Sequence, residues 1–384
     1  MTDSTITPRS GGRIAGRATT EGTARYRQRF AGKLATDHLA LGADLWLSSL
    51  GIGTYLGDPV PEHDSGYRDS VIATVRSGCN VIDSAINYRF QRSERNIGEA
   101  LRALTAGGVG REEIVVATKG GFIPFDGEYP RDPAGWMGEA IFSAGIASRD
   151  EVVANCHIIT PRYLESQIEW SRANLGLDTI DIYYLHNPET QLQEVERPEF
   201  LMRARAAFEM LEGKVAAGVI GIYGMATWDG LRVPPNNPGH LSLKELLTVA
   251  EQVSGPDHHF RAIQLPVNLV MGEACLEPTQ MTDGRLVSLL DAARAAGMVV
   301  MASGSLLQGR IIQALGPAFA ARLPGTRTNA QRGLQVVRSV PGLATALVGM
   351  KQPSHVEENL FVASLPRMPG AEAVKILEEC RRSR

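Results

Sequence analysis

The chain has 384 residues, with 39 Lys and Arg against 42 Asp and Glu, a formal net charge of −3. That near-balance excludes a general nucleic-acid binder or a polybasic membrane binder, which needs a clear positive excess. Hydrophobic residues make up 43% and charged residues 21%, which also excludes disorder over the whole chain.

Residues 1–35 are rich in Ser, Thr, Gly and Arg, and Asp3 and Glu21 are their only acids. No helical or strand periodicity runs through the first twenty, and the stretch reads as a flexible N-terminal tail. A transit peptide and a segment packed on a partner are the sharper alternatives. From about Leu39, short apolar runs alternate with longer amphipathic ones. Eight runs read as strands: Leu47–Gly53, Cys79–Asp83, Ile114–Thr118, Ile180–His186, Val219–Met225, Ala262–Pro266, Met298–Ala302 and Ala344–Val348. Each is nearly continuously apolar, as parallel strands buried on both faces are. Helices are expected at Ser65–Ser77, Ser93–Thr105, Thr160–Leu175, Pro198–Ala217, Ser242–Val253, Gly284–Ala296 and Asn329–Val340. Ser93-Glu94 and Thr160-Pro161 are start signals, and Gly78, Gly176, Gly218, Gly297 and Gly342 are stop signals.

Strands alternating with helices predict an α/β fold, a (β/α)₈ barrel of parallel strands. A doubly wound sheet would carry a complete Gly-rich turn after its first strand, and Gly51-Ile52-Gly53 lacks the third Gly. A length prior of about 150 residues per domain suggests two or three domains. The strand count reduces this to one barrel over 36–384, with an insertion over 120–159 after the third strand. That insertion carries Phe122, Phe125, Tyr129, Trp136 and Phe142, and is expected to cover the site and favour an apolar or ring-shaped substrate.

Cys79, Cys156, Cys275 and Cys380 form no CxxC, which fits a reducing compartment and a cytoplasmic location. No apolar run approaches the roughly 18 residues of a membrane helix. Cys156-His157 has no partner pair for a metal and reads as structural.

The polar residues that close consecutive strands are more informative. Asp83 ends the second strand, Lys119 the third and His186 the fourth, with Tyr88 five residues beyond Asp83. A barrel gathers such groups around one mouth. A Tyr hydroxyl is a poor acid at neutral pH, and a nearby ammonium lowers its pKa. A neutral His beside it can donate to a carbonyl oxygen. Together they would polarise a carbonyl and protonate the alkoxide, with hydride from a nicotinamide cofactor.

Six segments carry a resemblance: Asn80–Tyr88, Ser93–Leu101, Arg111–Lys119, Leu177–His186, Gln264–Leu269 and Gly349–Leu360. In them, from about Leu45 to Leu365, the chain resembles the aldo-keto reductase superfamily. The resemblance implies that Tyr88 is the general acid/base, that Lys119 lowers its pKa, that Asp83 pairs with Lys119, and that His186 orients the carbonyl. It implies cofactor contacts at Gly53 and Thr54, at Thr227 and Gln264 on the carboxamide, and at Ser303, Gly304, Ser305, Leu306, Gly309 and Arg310 around the pyrophosphate. It further implies Gly349, Met350, Lys351 and His355 at the adenosine phosphate, and Glu358 and Asn359 on the adenine. Ala226-Thr227 stands where the family often has Ser-Asn, Ser303 where it often has a stacking aromatic, and His355 where it often has Arg. Lys351 can still supply charge, so NADPH (NADP+) is expected over NADH. Tyr55 and Trp228 are expected to line the substrate pocket. The implied function is NAD(P)H-dependent reduction of an aldehyde or ketone to an alcohol, or the reverse, on a small molecule, with no nucleic acid or membrane partner and oligomerisation left open. The alternative is a nicotinamide-binding regulatory or scaffold subunit with little turnover.

Overall fold

Eight parallel strands close into a barrel in the computed structural model, which describes residues 12–382. They are β1 (Leu50–Gly53), β2 (Val81–Asp83), β3 (Val115–Gly120), β4 (Ile180–His186), β5 (Ile220–Ala226), β6 (Phe260–Pro266), β7 (Val299–Ser303) and β8 (Leu343–Gly349). Each pairs with its neighbour in sequence, and β8 closes on β1. All eight overlap expected strands, although the first expected run, Leu47–Gly53, breaks at Ser49.

Side-chain alternation divides each strand between two cores. Val81, Val115, Ala117, Ile182, Tyr184, Ala262, Met301 and Leu347 face inward and fill the barrel. Ile82, Val116, Tyr183, Leu185, Ile263, Val300 and Val348 face outward, against the helices. Asp83, Lys119, His186, Gln264 and Ser303 share the inward parity, and each stands at or near a C-terminal strand end. Tyr88 lies just past β2 and outside this alternation.

The longer helices are α1 (Thr20–Arg29), α2 (Pro61–Arg76), α3 (Arg92–Ala106), α4 (Pro161–Leu175), α5 (Arg197–Ala216), α6 (Leu243–Ser254), α7 (Leu289–Ala295), α8 (Asn329–Arg338), α9 (Pro353–Leu360) and α10 (Gly370–Arg382). The five stop glycines all adopt positive φ, between 65° and 98°. Ser93 does not cap α3; it lies buried one residue inside, its hydroxyl donating to the Thr54 carbonyl at 2.7 Å.

The segment 12–35 is not the loose tail its composition suggested; residues 1–11 lie outside the described residues. Ile14 bridges Leu177, and the Ala18 amide donates to Asp181 at 2.7 Å. In α1 the Thr19 side chain caps Gly22, and Tyr26 is buried with its hydroxyl on the Val75 carbonyl. Arg25 and Arg29 pair with Glu112 and Glu113 of the barrel, each at 2.6 Å. The buried stripe is only Gly22, Thr23 and Tyr26, too short and polar to register as periodicity. Gly22 permits the close approach, since a Cβ there would stand 2.2 Å from the Glu112 oxygen. Gly22→Val should therefore cost about 1–3 kcal/mol and open residues 12–30 to proteolysis. Limited digestion and the denaturation midpoint check this, and an unchanged digestion pattern would contradict the docking.

Two further differences have local causes. Ala43 and Asp44 take left-handed conformations (φ 47° and 61°), folding Leu39–Gly42 onto Leu45–Ser48 as an antiparallel hairpin before β1. Leu45 and Leu47 of this hairpin join the inward-facing core. Asp283-Gly284 does the same between Gln280–Thr282 and Arg285–Val287, so the helix expected from Gly284 starts at Leu289 instead, capped by Ser288. The insertion forms a small core from Ile123, Ile141 and Ile158, closed by Tyr163 of α4, with Phe125, Trp136 and Phe142 packed against it.

His38, just before the first hairpin, is buried, with its ring on Ser49 Oγ (2.9 Å) and the Gly78 carbonyl (3.1 Å). Burial, reinforced by Arg338, lowers its pKa to about 3. The unfolded chain then takes up a proton below about 6.5 that the folded chain refuses, so this contribution is full above 6.5 and is lost as pH falls toward 3. Between pH 7.5 and 5.5 the wild type should lose about 1.4 kcal/mol more than His38→Gln. Urea denaturation at the two pH values measures the difference, and equal losses would refute it.

Candidate active site

The strand ends surround a cavity of about 1110 Å³ at the C-terminal face. At its inner wall Asp83 and Lys119 form a buried ion pair, Nζ to Oδ2 at 2.7 Å. Lys119 also donates to the Ser84 carbonyl at 2.6 Å, and Gln264 Nε2 donates to Asp83 Oδ1 at 2.7 Å from across the barrel. Burial pushes Asp83 up and Lys119 down, and their mutual attraction holds the pair against that pressure.

Tyr88 sits above this pair. Lys119 Nζ lies 5.0 Å from its ring centroid, Tyr55 packs on it at 5.0 Å, and His186 meets it edge-on at 5.7 Å. Burial, then the negative charge of Asp83 and the neighbouring Tyr55, holds the Tyr88 hydroxyl well above its ordinary pKa. The expected lowering by Lys119 is not seen in this state, where burial is the largest cause and the ammonium donates to Asp83 and the Ser84 carbonyl. His186 is held well below its ordinary pKa by burial, then by Lys119 and His157, so its ring is neutral. Its Nδ1 is buried without a partner among the described residues.

The cavity runs from His186 and Tyr88 past Gly53 and Thr54 to Gly349, Lys351, His355, Glu358 and Asn359. Thr227, Gln264, Ser303, Gly304, Ser305, Leu306, Gly309, Tyr55 and Trp228 also line it. Three expected residues do not. Lys119 is shielded beneath Asp83, Met350 is fully buried, and Arg310 is exposed outside the cavity. No lining residue comes from 121–159, so the insertion stands beside the site and does not cover it. It packs on a core of its own, and Phe122, outside the cavity lining, meets the His186 ring edge-on at 5.0 Å.

Residues 304–309 curl tightly, with Gly304, Leu307, Gln308 and Gly309 all at positive φ. Asn268 Nδ2 fixes this turn through the Gly304 carbonyl at 3.0 Å. Such turns direct backbone N–H groups into a concavity suited to anions. Trp228 is aimed by Glu189, which accepts from the amides of Trp228, Asp229 and Gly230 at 2.7, 3.1 and 3.3 Å.

A model of the Aldo/keto reductase family matches residues 49–233. Over these residues the chain is similar to the aldo/keto reductase family. Two curated relatives match over part of their length. An NADH-specific methylglyoxal reductase of Escherichia coli (strain K12) is 30% identical over 148 residues, 37% of this chain and 39% of the relative. A D-threo-aldose 1-dehydrogenase of a Pseudomonas species is 29% identical over 151 residues, 39% of this chain and 40% of the relative. The chain thus spans about two fifths of the curated relatives it matches. An aldo/keto reductase from Klebsiella pneumoniae, solved with NADP and acetate, superposes with a TM-score of 0.59 at 20% identity, over 88% of this chain and 94% of its own. A glycerol dehydrogenase from Gluconobacter oxydans gives 0.61 at 19% identity, over 90% and 95%. At these identities the two structures speak for the fold.

Within this barrel, sequence reasoning missed Asn87, Arg89, Phe90 and Asn187, all of which line the cavity. They flank Tyr88 and His186, so adjacency to those residues was the available signal. Arg89, Phe90 and Gln91 form three successive left-handed residues, φ 48° to 67°, a conformation unmarked by any Gly. Asp64 stabilises that turn by pairing with Arg89 at 2.7 Å and with Arg92.

Proposed function

We propose that this chain is an NAD(P)H-dependent oxidoreductase that reduces an aldehyde or ketone to an alcohol, or catalyses the reverse. The supporting observation is the buried Asp83–Lys119 pair beneath Tyr88 and His186, in a long cavity that the curled 304–309 turn and Lys351 also line. A nicotinamide cofactor would supply the hydride when bound. The chain offers it the curled 304–309 backbone and the buried Thr227 Oγ1 and Asn359 Oδ1, which have no partner among the described residues. Gln264 has committed its Nε2 to Asp83, leaving Oε1 for a carboxamide. Lys351 has no carboxylate partner among the described residues, which supports NADPH over NADH. The Klebsiella relative carries NADP, while the E. coli relative is named NADH-specific.

Tyr88 holds its proton at neutral pH and releases it to the substrate oxygen as charge develops there. His186, neutral and fixed beside Tyr88, donates to the same oxygen and sets its direction. Lys119, kept charged by Asp83, stabilises the phenolate left behind. Tyr55, Phe90 and Trp228 give the mouth an aromatic wall, which supports an apolar or ring-shaped substrate. The residues from 36 to 382 act as one barrel domain in this reading.

Purified protein is titrated with NADPH and NADH by fluorescence, and cofactor oxidation is then followed with a panel of carbonyls. Binding and turnover are expected, with NADPH the tighter of the two. Failure to bind either nucleotide ends the proposal.

A further inference from the structure

One buried titratable group beside the site has no part in the chemistry above. His157 is fully buried, and its Nε2 lies 2.7 Å from the backbone oxygen of His186. Its Nδ1 lies 2.9 Å from Gln191 Nε2. The partners decide which nitrogen carries the proton. Arg203 can only donate, and its Nη1 stands 2.6 Å from Gln191 Oε1. Gln191 therefore turns its NH₂ toward His157, so Nδ1 accepts and Nε2–H donates to the His186 carbonyl. Glu199 holds Arg203 in turn, at 2.8 Å.

The surroundings suit this contact. A Cβ on Gly121 would stand 2.7 Å from His157 Nε2 and 3.2 Å from the His186 oxygen, and Gly121 has φ +137°. Only Gly leaves the bond room. Phe122 packs edge-on against both imidazoles, at 4.9 Å from His157 and 5.0 Å from His186. Burial holds the His157 pKa down at about 4, so the direction of the chain persists at neutral pH. His186 needs outside support, since its own Nδ1 has no partner among the described residues. Its main chain also turns sharply at once, with Asn187 at φ 44°.

We propose that His157 is a positioning residue: through Arg203, Gln191 and His157, the insertion after β3 fixes the backbone at His186 and so aims the imidazole at the substrate oxygen. This assignment rests on the reading of His186 as the carbonyl-orienting group. The insertion then serves as a buttress behind the site.

The test has two arms. Long-range ¹H–¹⁵N spectra of the wild-type protein, which need no turnover, should show His157 as the Nε2–H tautomer, unchanged from about pH 6 to 8. An Nδ1–H tautomer, or titration in that range, overturns the proposal. In the kinetic arm, His157→Phe should lower kcat about 10- to 100-fold with the NADPH KM little changed. His157→Gln, whose amide can still donate to the carbonyl, should recover most of the loss. Gln191→Leu should slow the wild type but add little to His157→Phe, and it carries the same expectation should His157→Phe not fold. If the wild type turns over and neither His157→Phe nor Gln191→Leu changes kcat, the positioning role is refuted while the function stands. If the wild type never turns over, the functional reading fails and this role falls with it.

Discussion

Tyr88→Phe should lower kcat for carbonyl reduction by about three orders of magnitude, within the range that positioned acid catalysis supplies. NADPH binding should persist. The Phe ring keeps the packing on Tyr55 and His186 and loses only the hydroxyl. Because burial and Asp83 hold the Tyr88 hydroxyl well above its ordinary pKa, reduction should proceed readily at neutral pH, where the proton is present. Alcohol oxidation needs the phenolate and should rise with pH instead. Steady-state kinetics in both directions, with fluorescence titration of cofactor, measure all of this. Retained turnover in Tyr88→Phe would remove the phenol from the mechanism. A nicotinamide-binding scaffold would show binding with no wild-type turnover to lose.

Lys119→Met should strike both stability and rate. Lys119 and Asp83 are 1% and 5% exposed, so removing the ammonium strands a carboxylate inside the barrel. Breaking a buried pair in this way costs about 3–5 kcal/mol. Asp83→Asn in the same chain removes the stranded charge, and the double variant should regain a large part of that stability. It should not regain activity, because nothing remains to stabilise the phenolate. Denaturant midpoints for the two single variants and the double variant, beside their kcat values, separate the two roles. Equal destabilisation of Lys119→Met and the double variant would argue that lost packing, not the unpaired charge, sets the cost.

Much of this architecture was legible because period-two alternation carries it. Asp83, Lys119 and His186 could be placed on one rim from sequence, since each ends an apolar run and shares parity with an inward residue. Contacts across the barrel were not legible. Gln264 and Asp83 are 181 residues apart, and nothing local in either segment announces their bond. The direction of the Tyr88 shift was equally hidden, because it depends on burial and on which partners Lys119 has already taken. The insertion misled through composition. Its aromatics suggested a lid, yet Trp136 and Phe142 serve the insertion's own core. At the other end, α1 was masked by arginines that read as tail chemistry and proved to be partners for Glu112 and Glu113.

The docking of residues 14–18 under the barrel has a practical corollary. Ile14 reaches the turn before β4, and Ala18 reaches Asp181 near the start of that strand, at the pole opposite His186. A biotin or surface linker attached at exposed Gly12 would therefore anchor the molecule with its mouth pointing away from the support. The same linker at exposed Tyr129, whose ring meets the cavity-lining Phe90 at 6.3 Å, would crowd the entrance. Immobilised on an electrode or bead by the first route, the protein should keep its solution KM for substrate. By the second, substrate access should become limiting.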